Sequence, residues 1–248
     1  MKKLTEDDFQ DVKEDLKHGR ISPDMIRFGL GAFMLFSAIA VGVAYMGVAA
    51  SNTTIGWGNL SVFWRTIFKL EAIMFIIQLI LIIFMKGKSN WSQILLNVSY
   101  VVYTYKLVLD PFVAIAVFAM DRDEYEVYAP IILMIIILGL ILELYLIRRL
   151  FKKLKTSGIG EKKNEETKDR AYLVYLIPML FLLTSITGYV ISHSLLGEMD
   201  ILAMIGICTL LLTLILIGTI EYVIGAYCVI RFPSFRVNPP TEKNRSMH

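Results

Sequence analysis

Two oppositely charged side chains, Lys106 and Asp110, stand four residues apart within residues 91–120, a stretch with the hydropathy of a membrane span. A span needs about 20 apolar residues, so these 30 read as one long or broken helix. On a helical projection Gln93, Asn97, Tyr100 and Thr104 gather within about 60°. Ser99, Tyr103, Lys106 and Asp110 form a second stripe about 100° away. Trp91, Ile94, Leu95, Val98, Val101, Val102, Tyr105, Val108 and Leu109 take the opposite side. One side suits lipid, and the other requires protein or water. An unpaired charge at bilayer depth costs at least about 2.5–3.5 kcal/mol, so Lys106 and Asp110 must face partners. Pro111 lacks a backbone donor and biases Asp110 away from helical geometry, which predicts a kink there.

A partner for Lys106 follows from the neighbouring stretch. Residues 86–90 make a tight turn, so the spans on either side run antiparallel as neighbours. Glu71 lies 15 residues before Lys86, and Lys106 lies 15 after Trp91. Both therefore sit about 22 Å from the same end. Glu71 also shares a face with Gln78, seven residues on. A cluster of Glu71, Lys106 and Asp110 in the outer third of the bilayer is the expectation. Glu221, ten residues before Arg231, falls about 15 Å from a membrane end and is expected near mid-membrane. Gly218 and Gly225 on its face leave room for another helix. The candidate polar cluster is thus Glu71, Gln78, Asn97, Tyr100, Tyr103, Lys106, Asp110 and Glu221. It reads either as an ion, proton or solute path or as ion pairing that fixes helix register.

Chemistry of other kinds lacks material. There is no P-loop, no G-x-S-x-G and no H-E-x-x-H. The three histidines, His18, His193 and His248, are scattered, and no cysteine spacing suits a metal. Cys208 and Cys228, about 30 Å apart on one helix, are too far apart to bond each other. No catalytic residue, metal site or cofactor is expected, and the chain is not read as an enzyme. Basic residues without interleaved aromatics leave nucleic-acid binding unsupported.

These side chains must be positioned by an all-α, polytopic membrane fold. Of 248 residues, 56% are hydrophobic, which excludes disorder and an ordinary soluble domain. Six spans are expected, at about 25–50, 62–85, 91–120, 130–147, 171–192 and 201–230, within a membrane domain at 25–231. Ser22-Pro23 starts the first span, which is rich in small residues. Residues 1–24 are charged throughout, unlike a cleavable signal peptide. They hold one short amphipathic helix, with Phe9, Val12 and Leu16 at helical spacing and Gly19 as cap. Packing on its own bundle is the simplest use of that face. Lys69 and Glu143 read as interfacial side chains that snorkel. Residues 121–128 form an acidic loop, 148–170 a long basic loop, and 232–248 a polar, disordered tail.

Six spans place both termini on one side of the membrane. That side carries six basic residues in 1–27, two in 86–90, nine in 148–170 and four in 231–248, or 21 of the 25 Lys and Arg. The positive-inside rule then makes both termini cytoplasmic. Composition points to a multi-pass protein of a bacterial plasma membrane. The function expected is interaction without catalysis: an accessory, assembly or immunity-type component, with the lipid bilayer and another membrane protein as partners. The rival reading is a small transporter or channel component using the charges of spans two, three and six. No feature beyond those charges supports a small-molecule or ion substrate.

Overall fold

The computed structural model describes residues 5–49, 55–156 and 200–237. Among the described residues, a 3-10 turn at Glu6–Phe9 leads into six α-helices. They are α1 (Gln10–His18), α2 (Pro23–Ala49), α3 (Val62–Phe84), α4 (Asn90–Asp121), α5 (Tyr125–Thr156) and α6 (Asp200–Arg231). Helices α2 to α6, five in all, are long and apolar enough to cross a membrane. Among the described residues there is no strand. The expected fifth span, 171–192, lies outside the described residues.

Helix α4 is the centre of the bundle. Half of its most apolar stretch is buried, against 17% or 22% in the other four. Its closest backbone neighbours are α2 on one side and α6 on the other. Small residues make the first approach close: a Cβ on Gly29 of α2 would lie 2.7 Å from the Tyr100 ring of α4. At one end Val41, Ala44, Val48, Trp64, Phe68, Ala116 and Val117 join α2, α3 and α4. Val108, Phe112, Ile115, Ile132, Ile205, Leu212 and Leu216 join α4, α5 and α6.

The ends of the helices are set by local chemistry. Ser61 and Ser89 cap α3 and α4, accepting hydrogen bonds from Trp64 N and Ser92 N. Between these helices Gly87 takes φ 66°, with Pro23 of α2 packed against it, a conformation and a closeness that suit only glycine. Arg27 of α2 donates to the Ile82 carbonyl near the end of α3, satisfying an acceptor that the helix leaves open.

Three expectations about the elements need correction. Helix α4 is one long helix, not broken: it runs through Pro111, and Asp110 is helical. The acidic loop 121–128 shrinks to three residues: Asp123, at φ 60°, ends α4 with bonds from Glu124 N to Ala119 O and from Asp123 N to Met120 O. That pattern is the Schellman stop, for which a short polar side chain substitutes for glycine. Helix α5 continues past Ile147 to Thr156, because a run of Lys and Arg favours helix as much as apolar residues do. The tail is ordered as far as Val237. Phe232 and Phe235 are buried with Phe9, Leu16, Ile21, Ile224, Cys228 and Val229, so α1 and the chain after α6 share one apolar cluster.

Candidate functional site

The polar stripes of α4 converge on neighbouring helices, and Lys106 is the point of convergence. Its ammonium lies 2.5 Å from Glu71 Oε2 of α3 and 2.8 Å from Asp110 Oδ2 one turn along α4. It donates to Ser37 Oγ of α2 at 2.5 Å, and the Ser37 hydroxyl in turn donates to Asp110 Oδ2. The Phe75 ring lies beneath the ammonium, 4.4 Å from its centroid, which adds a cation–π contact. The side chains are 6% (Lys106), 1% (Asp110) and 14% (Glu71) exposed, so the group is nearly dry. Three helices thus meet through one hydroxyl, one ammonium and two carboxylates.

Helix α3 lies closer to α2 than to α4, so only long side chains bridge its gap to α4. Lys106 and Glu71 make one bridge. Tyr103 makes a second, donating to the Met74 carbonyl of α3 at 2.8 Å. Gln78 is fully buried and gives its amide to the Leu30 carbonyl of α2 at 2.8 Å. Glu71, Met74 and Gln78 therefore form one seam along α3.

The remaining candidates fall elsewhere. Tyr100 is stacked between Phe33 and Tyr222, with ring centroids 4.8 Å and 4.3 Å away. Asn97 is buried and donates back to the Gln93 carbonyl of its own helix. Neither side chain joins the Lys106 group. Glu221 does not join this cluster: its carboxylate pairs with Arg20 at 2.9 Å, and the side chains are 40% and 52% exposed. The segment between α1 and α2 reaches over this part of α6, where Ile21 lies against Gly225; among the described residues none comes within 4 Å of a Cβ placed on Gly218.

Several partners escaped the sequence reading. Ser37 stands among small residues and shows its role only once α2 lies against α4. Glu143 does not snorkel; it is 2% exposed and accepts a 2.8 Å hydrogen bond from Tyr105, a residue expected to face lipid. Helix α5 covers that side of α4 and buries Val108 as well. Gln93 clamps the chain after α6, its amide on the Phe235 carbonyl and its Oε1 accepting from Val237 N at 2.8 Å. At the opposite end of the bundle an open cleft of about 670 Å³ lies between Leu60, Trp64, Met120 and Tyr125. Arg122 at its edge pairs with the buried Asp200 at 3.3 Å.

Among the described residues no three His, Cys, Asp or Glu side chains are placed to hold a metal ion. No family model, curated protein or solved structure matches the chain.

Proposed function

We propose that the protein is a multi-pass component of a plasma membrane, with both termini cytoplasmic, that acts by interaction as an accessory, assembly or immunity-type protein. The observation that supports this reading is where the polar groups go. Lys106 binds Glu71, Asp110 and Ser37, while Tyr103 and Gln78 bind backbone carbonyls of neighbouring helices. Such groups act as helix-to-helix links, each worth about 0.6–2 kcal/mol in membranes. Meanwhile α2, α3 and α5 present broad apolar faces, including Phe36, Ile39, Ile76, Ile80, Leu138 and Ile141. Those faces suit lipid and other membrane helices.

A second reading, a small proton or cation carrier, has one specific observation in its favour. Asp110 Oδ1 is buried without a hydrogen-bond partner beside an excess of carboxylate. Two measurements separate the readings: purification of the intact protein in mild detergent with identification of its companions, and proton or alkali-cation flux in reconstituted vesicles. The interaction reading expects a stoichiometric membrane-protein companion and flux no greater than in empty vesicles. Flux that Glu71→Gln abolishes without loss of folded protein would overturn it.

A further inference from the structure

The charges around Lys106 do not balance. The ammonium donates to Asp110 and Ser37 and is ion-paired with Glu71. Two carboxylates share that one cation, which leaves one negative charge in a nearly dry site. Among the described residues, no second cation is supplied by the elements packed around the cluster. On α2 the ionisable residues flanking Ser37 are Arg27, held by the Ile82 carbonyl, and Tyr45. On α3, Arg65 binds the Leu60 and Gly58 carbonyls, and Lys69 is exposed. On α4, Tyr103 is committed to Met74, and Tyr105 to Glu143 of α5. Helix α6 carries only Cys208 between its terminal Asp200 and Glu221. Asp110 Oδ1 is meanwhile buried with no hydrogen-bond partner.

We propose that the Ser37–Glu71–Lys106–Asp110 cluster is a proton-binding site, holding one exchangeable proton shared between the Glu71 and Asp110 carboxyls. That proton brings the cluster to neutrality, removing the cost of a net charge at bilayer depth. Like-charged carboxylates sharing one site resist ionising together. Hard metal cations are poorer candidates, because they take six or more oxygens and the ammonium already occupies the middle of this group. Ser37 holds Lys106 and Asp110 in place while the proton is bound. Release to water leaves the cluster at one negative charge and weakens the links of α2 and α3 to α4. The inference stands apart from the interaction reading, since a proton can be bound without being carried across.

Infrared spectroscopy of the full chain in detergent tests this, because a protonated carboxyl absorbs apart from a carboxylate and shifts in heavy water. Glu143 and Asp200 are the other buried carboxyls among the described residues, so the measurement is made with Glu143→Gln and Asp200→Asn as background. One protonated carboxyl is expected at neutral pH. It should vanish in Glu71→Gln, where one carboxylate faces one ammonium, and double in Lys106→Met. Asp110→Asn makes the same change of charge should Glu71→Gln fail to fold. Absence of any protonated carboxyl in the wild-type chain at neutral pH overturns the proposal whatever the variants do. So does a band that survives both neutralising substitutions, or one replaced by sodium-dependent stabilisation.

Discussion

Lys106 is the residue whose loss the structure tolerates least. It is the only cation in a group of four side chains, three of them buried, drawn from three helices. Removing one partner of a buried pair strands the others, at about 3–5 kcal/mol. An ordinary substitution costs about 1 kcal/mol. Lys106→Met is therefore expected to cost at least three times the ordinary amount in detergent unfolding. Exchanging the charges, Glu71→Lys with Lys106→Glu, should recover part of the loss, since both side chains still reach across the same gap. A double variant no more stable than the worse single one would show that Glu71 and Lys106 are not coupled.

Helix α1 shows which kind of contact holds an element. Phe9 and Leu16 are each 1% exposed against α6 and the chain after it. Phe9→Ala should cost about 3–5 kcal/mol, the range for losing a buried aromatic. The Arg20–Glu221 pair also joins this segment to α6, but it is half exposed. Exposed pairs contribute about 0–1 kcal/mol, so Arg20→Ala should change little. Protease accessibility of residues 5–18 is the readout: Phe9→Ala should open the segment and Arg20→Ala should not. The reverse ranking would mean that the ion pair, and not apolar burial, seats α1.

At the scale of the whole molecule, the distribution of charge predicts orientation. The turn between α3 and α4 carries Lys86 and Lys88, whereas the connection between α4 and α5 carries one basic residue, Arg122, beside Asp123 and Glu124. The positive-inside rule places the first in the cytoplasm and the second outside. Cysteines introduced at Ser89 and Gly58, with Cys208 and Cys228 replaced by Ala, are then expected on opposite sides. In intact cells an impermeant thiol reagent should label Gly58→Cys and spare Ser89→Cys. Labelling in the opposite sense would invert the topology.

What could be read along the chain was periodicity and level. The two polar stripes of α4 follow from 3.6 residues per turn, and the tight turn at 86–90 brings Glu71 and Lys106 to one height. Those are properties of single helices and of their connection. What tertiary structure decided was azimuth: which side of each helix faces which neighbour. Helix α2 lies closer to α4 than α3 does, which brings Ser37 onto Lys106 and leaves α3 to reach it by long side chains. Helix α5 covers a side of α4 that looked suited to lipid, and so pairs Tyr105 with Glu143. Glu221 meets Arg20, and Gln93 meets Val237, through segments more than a hundred residues distant in sequence. Apolar residues surround most of each span, so any of several faces could be buried at similar gain. Packing between particular side chains, not hydropathy, selects among them.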